Sequence, residues 1–321
     1  GLDDGIMAGC IPSLAACTAM RNLVLVDLSM GMKSCAALSV ILPRMANLME
    51  LDLEGNSING NCVEVLVRGL SQCRRLHSLG LENNGIGDDG LEVLIQGLPA
   101  SVCRLDLNDN EVTLARQLPL LRFKWLNLSG NTLSAGGPRV VAASLANKEC
   151  RLETLHLFRT NIGDEGAPIL ATSIRSNQRL TCMSLTNGDI TETGWDAFSS
   201  ILCDTSSITA TYSSNHSLQS LGYCDNMPED IETLLELNSD EDNSRVAATK
   251  ILQTHRHLDI KPFFDRKLDL LPHVVAWLER FAESRLDLKL SSIFEFVREM
   301  PMKVTNRVVG KTKGEKRKLD N

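Results

Sequence analysis

One pattern recurs along the first two thirds of the chain and constrains its fold more than any other feature. The pattern is L-x-x-L-x-L-x-x-N-x-(I/L/V), with other apolar residues admitted at the leucine positions. Four successive stretches fill all five positions, which chance does not produce. They begin at Leu48, Leu76, Val102 and Phe123.

Further copies match the pattern in part. Copies beginning at Leu152 and Leu180 carry Thr160 and Gly188 where Asn would stand, and we expect weaker copies at Leu23 and Ile208. Successive copies start 25, 28, 26, 21, 29, 28 and 28 residues apart. Internal repeats of this length indicate a solenoid, in which each unit buries its apolar face against its neighbours.

Each copy is expected to contain a short strand followed by a helix. In L-x-L the two leucines share one face of a strand because strand side chains alternate. The Asn can then satisfy backbone groups at the following turn and stack from copy to copy. The second half reads as a helix over residues 87–98, with apolar residues three and four apart. We expect Asp88 or Asp164 to cap such helices.

The copy that begins at Val102 departs from the others. Only 21 residues separate it from the next copy, and Pro119 disfavours helix just before it. We therefore expect no helix there and a dent in the convex face.

These residues resemble the leucine-rich repeat family over residues 1–222. The period of 28–29 residues with a helical second half is similar to the ribonuclease-inhibitor-like subfamily. The resemblance implies an α/β fold, a right-handed solenoid with a concave parallel sheet and convex helices. It implies about eight repeats with a truncated first one, since the chain starts at Gly1 in mid-pattern and reads as a fragment.

The last third carries no repeat. We expect an α-helical cap over residues 223–301, with a helix from Pro228 to Leu237 and another from Ser244 to about His257. A separate effector module is the alternative. Residues 302–321 are expected to form a disordered basic tail, since they hold seven basic and two acidic side chains. The net charge of −7 leaves −12 on the rest of the chain.

Charge and cysteine spacing limit the class of partner and the cellular location that the sequence predicts. An acidic solenoid is a poor nucleic-acid binder, because phosphate contacts need clustered Lys and Arg. The ten cysteines show neither zinc nor disulfide spacing, which favours reduced thiols and a cytoplasmic protein. The tail leaves nuclear import open as an alternative. No stretch is long and apolar enough to suggest a membrane span.

The search for catalytic, cofactor and metal motifs finds none, so we predict a protein that is not an enzyme. His255 and His257 are two residues apart, unlike the spacing of a metal pair on one helix face, and we expect both to be solvated. Gly310 and Lys311 resemble the end of a phosphate-binding loop, but Thr305 stands where its first Gly is required.

What remains is the concave face, on which the strand residues that flank the buried leucines lie. Parity predicts an acidic patch on the first half and an aromatic strip on the second. The predicted partner-binding residues are Asp27, Glu50, Asp52, Glu54, Glu82, Asp106, Trp125, His156, Phe158 and Tyr212.

This face predicts a non-enzymatic scaffold that binds a partner protein with a basic surface. Electrostatic attraction would speed the encounter, and the aromatic residues would hold the complex. An ordinary solvated face stays open as an alternative. So does a regulator of an enzyme, such as a small-GTPase-activating protein or a ribonuclease-inhibitor-like inhibitor.

Overall fold

The computed structural model describes residues 3–240 and 242–255. Seven parallel strands of three residues each lie side by side in one sheet, in the order in which they occur along the chain. This is the sheet that the repeat predicts, in an α/β solenoid. The strands are β1 (Asn22–Val24), β2 (Glu50–Asp52), β3 (Ser78–Gly80), β4 (Arg104–Asp106), β5 (Trp125–Asn127), β6 (Thr154–His156) and β7 (Cys182–Ser184).

Most strands are followed by a helix that returns the chain to the next strand. Two short 3-10 segments, Ile11–Ala16 and Leu42–Arg44, supplement them. The helices are α1 (Asp4–Cys10), α2 (Met32–Ile41), α3 (Gly60–Leu70), α4 (Asp88–Gly97), α5 (Gly137–Ala146), α6 (Gly163–Ile174), α7 (Glu192–Leu202), α8 (Ile208–Tyr212), α9 (Glu229–Leu237) and α10 (Asn243–Thr254).

The strand register follows the apolar pattern. The central residue of each strand pairs with that of the next and is buried, as in the row from Leu51 through Leu79 to Leu105. The flanking residues of each strand lie on the opposite, accessible face. The aliphatic core therefore occupies the space between the sheet and the helices. The polar and aromatic side chains of the strands lie on the accessible sheet face.

The pattern asparagines join consecutive coils, as predicted. Asn131 is fully buried; its amide nitrogen donates to the carbonyl oxygen of Leu107 in the preceding coil at 2.8 Å, and its amide oxygen accepts from the Val112 N–H at 2.8 Å. Asn56, Asn84 and Asn110 bridge their preceding coils in the same way. In these four coils, side-chain amides thus take the place of backbone pairing at the turn.

The residue immediately before the Asn position of the pattern has a left-handed backbone in all seven coils that contain a strand. Such φ values suit Gly and, less strongly, Asn and Asp. The column reads Asp27, Gly55, Asn83, Asp109, Gly130, Arg159 and Asn187, with φ between 49° and 69°.

The first and last copies differ from the sequence prediction. Leu23 pairs with Leu51, so the first copy begins three residues earlier than predicted, at Met20. Residues 208–212 form helix α8, and the predicted strand there is wrong. The next parallel rung is made by Ser220, which bridges to Cys182 and accepts from the Met183 N–H at 2.9 Å.

The short coil has no helix between β4 and β5, as its length predicts. Asp88 compensates from the preceding coil. Its carboxylate accepts from the N–H groups of Thr113, Leu114 and Ala115 at 2.8–2.9 Å. The predicted capping role is therefore wrong: Asp88 and Asp164 each bind the next coil, Asp164 through Thr191.

Two compact units divide the chain. Of the described residues, 3–202 and 217–239 belong to the first unit, and 203–216, 240 and 242–255 belong to the second. Helix α9 belongs to the first unit, so the predicted solenoid boundary at residue 222 falls inside that unit.

Helix α10 in the second unit begins with Asp242 as its cap, not Ser244. His255 is buried and its Nε2 lies 2.6 Å from Thr211 Oγ1, which corrects the predicted solvated histidine. His257, the remainder of the predicted cap and the basic tail lie outside the described residues. No helix in the described ranges is both long and apolar enough to cross a membrane.

Candidate functional site

An acidic strip crosses the accessible sheet face over strands β2 to β4. We use this name for Asp52, Glu54, Glu82 and Asp106, each of which is partly exposed. Burial, followed by repulsion from Glu82, Asp52, Asp27 and Asp106, raises the pKa of Glu54. None of these four carboxylates forms an ion pair within the described part of the chain. The strip is therefore a self-repelling row of negative charge.

Hydrogen bonds fix the positions of these carboxylates. Asp52 accepts from the Glu54 N–H, and Asp106 accepts from the Asn108 N–H, each at 3.1 Å. The side-chain amide of Asn108 donates to Glu82 at 2.6 Å. Gly80, the last residue of β3, lies between Asp52 and Asp106 in the strand register, so no side chain stands between these two carboxylates.

The two other predicted acidic residues are placed differently. Glu50 begins strand β2 and accepts from the side-chain amide of Asn22 at 2.6 Å. Asp27 lies beyond the end of β1, at the left-handed turn position of its coil, and not in the predicted strand column. It still contributes to the repulsion felt by Glu54.

The predicted aromatic strip occupies strands β5 and β6 and the turn beyond β6. The rings of Trp125 and His156 have centroids 5.1 Å apart. Arg104 lies on the neighbouring strand β4, opposite Trp125 in the register. Its guanidinium carbon is 3.4 Å from the centroid of the Trp125 ring. Burial and the positive charge of Arg104 lower the pKa of His156. Both effects favour the neutral imidazole.

A hollow of about 320 Å³ opens among these side chains, and we call it the arginine pocket. Arg104 and Arg159 contribute its positive charge, Trp125, His156 and Phe158 its rings, and Asp106 and Asp109 its negative charge. The pocket adjoins the acidic strip, because Asp106 belongs to both.

Tyr212 does not belong to this face. It lies at the end of helix α8 in the second unit, because residues 203–216 form an insertion before the eighth rung. The structure brings seven of the predicted residues together on the sheet face: Asp52, Glu54, Glu82, Asp106, Trp125, His156 and Phe158.

Neither arginine of the pocket is among the residues predicted from the sequence. Arg104 is a flanking residue of strand β4, where alternation places it on the accessible face, and Arg159 lies in the turn beyond β6, outside any strand. The signal for Arg159 was available, since the residue before the pattern Asn is Gly, Asn or Asp in the four complete copies.

Within residues 3–240 and 242–255, no group of three His, Cys, Asp or Glu side chains is placed to hold a metal ion.

Comparison with known proteins gives matches that contain the same repeat. A family model described as Leucine Rich repeat matches residues 72–94 and 150–167. The human NACHT, LRR and PYD domains-containing protein 14 is 28% identical over 166 residues, which make up 50% of this chain and 13% of that protein. The chain thus matches only a small part of the length of this curated relative.

Among solved structures, the crystal structure of an internalin (InlF) from Listeria monocytogenes str. 4b F2365 is similar with a TM-score of 0.36 and 12% identity. The similarity covers 77% of this chain and 86% of the internalin chain.

The regular coils, the asparagine bridges and the family-model match over residues 72–94 and 150–167 support a leucine-rich repeat protein. Proteins of this family generally act as protein-interaction scaffolds. The ribonuclease-inhibitor-like subfamily stays a prediction.

Proposed function

We propose that this protein is a non-enzymatic interaction module that binds a partner protein with a basic surface on its accessible sheet face. The observation that carries the proposal is the acidic strip. Its carboxylates lie on adjacent strands, where like charges repel. A partner that brings Lys or Arg side chains would relieve this repulsion and gain favourable electrostatic energy on binding.

The aromatic side chains next to the strip support the same face. Trp125, His156 and Phe158 are partly exposed and lie beside the carboxylates. Aromatic residues are frequent anchors of interfaces, since they bury a large apolar area with few rotatable bonds. The partner would be attracted by the strip and held by the rings. We place this interaction in the cytoplasm.

The test is quantitative affinity capture with two variants that remove the same charge from different faces. The first variant is Asp52→Asn, Glu54→Gln, Glu82→Gln on the sheet. The matched control is Glu64→Gln, Glu165→Gln, Glu192→Gln, at exposed positions on helices α3, α6 and α7. Extracts of the source cells are passed over each immobilised, folded protein.

We expect the sheet variant to lose the basic partner and the helix variant to retain it. The loss should match that produced by raising the salt concentration, because exposed charges are screened. Equal recovery on the wild type and the sheet variant would contradict the proposal.

A further inference from the structure

The arginine pocket contains two guanidinium groups that act on their neighbours by ring stacking and by charge; the charge of Arg104 lowers the pKa of Asp106, which burial raises. Within the described ranges, neither Arg104 nor Arg159 forms an ion pair or donates a hydrogen bond. Arg104 instead stacks on Trp125, at 3.4 Å from the ring centroid. A stacked guanidinium keeps its five N–H donors in the plane of the group, where they can bind a carboxylate.

The two aspartates of the pocket are already engaged by the protein. Asp106 accepts from the Asn108 N–H at 3.1 Å and is also hydrogen-bonded by the Asn127 side chain. Asp109 accepts from the Asn108 amide at 3.1 Å. Its Oδ1 would lie 2.0 Å from a Cβ on Gly130, so the carboxylate folds over the glycine of the next coil. The arginines are thus the open binding groups.

Arg159 occupies its position at a conformational disadvantage. Its φ is +53°, and the equivalent positions of the other six coils hold only Asp, Gly or Asn. A long side chain without an amide or carboxylate near the backbone is uncommon in the left-handed region. Strained residues of this kind concentrate at functional sites, which points from the outlier to a role for the guanidinium.

Resting on the proposed function, we infer that the arginine pocket binds the carboxylate of an acidic side chain in the partner. The partner segment would also place a basic side chain over Glu82. The strand register aligns Glu82 with Asn108 and then with Ser129, which lines the pocket two strand spacings or about 10 Å away. An extended segment covers this distance in about three residues. The recognised segment is therefore bipolar, with an acidic residue about three positions from a basic one.

The experiment uses two synthetic peptides with blocked termini and the full chain. The first is Lys-Lys-Ser-Ser-Glu, and the second replaces its Glu by Gln, which keeps the shape and removes the charge. Binding is followed by NMR through the indole N–H of Trp125, which is assigned with the Trp125→Phe variant. Four proteins are compared: the wild type, Arg104→Gln with Arg159→Asn, the control Arg139→Asn on helix α5, and Glu54→Gln with Glu82→Gln.

We expect the wild type and the Arg139→Asn control to bind the Glu peptide about fivefold or more tightly than the Gln peptide, as for a partly buried ion pair. The preference should disappear in the double arginine variant. That variant should fold, because Asn stands at the same left-handed position in Asn83 and Asn187. Equal binding of the two peptides by the wild type would overturn the carboxylate site.

The acidic-strip variant separates this inference from the proposed function. If it binds both peptides more weakly but keeps the preference for Glu, both are supported. If its affinity equals that of the wild type while the preference persists, the proposed function is contradicted and the carboxylate site stands. If neither peptide binds the wild type, both are overturned.

Discussion

The guanidinium carbon of Arg104 lies 3.4 Å from the centre of the Trp125 ring, which joins a cation of strand β4 to an aromatic residue of strand β5. Neither residue would suggest a site by itself. Their contact places a positive charge near His156, whose ring also contacts Trp125. The three side chains therefore influence one another electrostatically.

Removing this cation should change the titration of His156. Burial and the charge of Arg104 both lower the pKa of His156, so Arg104→Gln removes one of the two causes. We expect the pKa to rise, with a larger protonated fraction at about pH 6. Histidine ring NMR signals followed against pH measure this directly. Arg139→Gln is the control, and an unchanged His156 titration in Arg104→Gln would contradict the contact.

Asp88 should contribute more to stability than its neighbour Asp89. Asp88 accepts three backbone hydrogen bonds from the helix-free coil, whereas Asp89 pairs only with the exposed Arg116 at 2.6 Å. We expect Asp88→Asn to reduce the free energy of unfolding by about 1–3 kcal/mol. Asp89→Asn should cost about 1 kcal/mol or less. Urea unfolding of both variants makes the comparison, and equal losses would contradict it.

The same carboxylate gives the coil a pH dependence. Burial alone would raise the pKa of Asp88, but hydrogen bonds from Thr113, Leu114 and Ala115 bring it below the ordinary value. The folded state therefore holds this proton less tightly than the unfolded state. The stabilisation is complete above the ordinary carboxyl pKa and is lost as the pH falls through the lowered one. Asp88→Asn should remove this part of the acid sensitivity.

Asn131 should be among the most costly polar residues to replace. Its buried amide bonds one N–H and three carbonyl groups, at 2.8–3.1 Å. Asn131→Ala leaves these groups without partners, and we expect a loss of about 2 kcal/mol or more in the free energy of unfolding. Asn61→Ala, at an exposed site in helix α3, should change stability little. A similar effect of the two substitutions in thermal unfolding would rule out the structural role.

In the second unit, the charge of Lys250 should lower the pKa of the neighbouring His216. Burial and the charge of Lys250 lower the pKa of His216 to about 4, and burial lowers that of Lys250 to about 8. The unfolded chain binds a proton at His216 near pH 6.5, so the native state loses stability as the pH falls from there towards 4.

Lys250→Met removes the neighbouring charge, and we expect the pKa of His216 to rise. Arg245→Met, in the same helix α10, is the control, because Arg245 pairs with Asp240 at 3.1 Å. NMR titration of the histidine distinguishes the two variants. The proximity is contradicted if the His216 midpoint is the same in Lys250→Met and in the wild type.

The sequence predicted the fold best where a copy filled the pattern completely. From β2 to β5 the predicted strands, buried apolar residues and asparagine bridges are confirmed, because each position of the complete pattern has one structural solution. Strands β6 and β7 are confirmed as well, with Thr160 and Gly188 at the Asn position.

The first copy was misplaced by three residues, because apolar residues fill the first three positions of the pattern in two registers. The predicted register uses Leu23, Val26 and Leu28, and the observed one uses Met20, Leu23 and Leu25. The last was misplaced because residues 203–216 interrupt the repeat, and apolar spacing within a helix imitated a strand.

The sequence predicted residues of the candidate site that lie within strands, because side chains alternate between the two faces of a strand. Alternation placed Asp52, Trp125 and His156 on the accessible face, and the structure agrees. The turn beyond the strand obeys no alternation, so Arg159 could not be placed by it. The stacking of Arg104 on Trp125 depends on side-chain rotamers across two strands, which no spacing along a single copy encodes.

The left-handed column has a consequence for how such a chain can vary. Each coil turns at one left-handed residue three positions after its strand, before the returning segment begins, and the strand pairing is the same for returning segments of different length. The central residues of β4 and β5 are 21 positions apart and those of β6 and β7 are 28 apart, with the same register. Insertions and deletions on the helix side therefore leave the residues of the accessible sheet face in register. The two sides of the molecule can evolve independently, one in length and the other in chemistry.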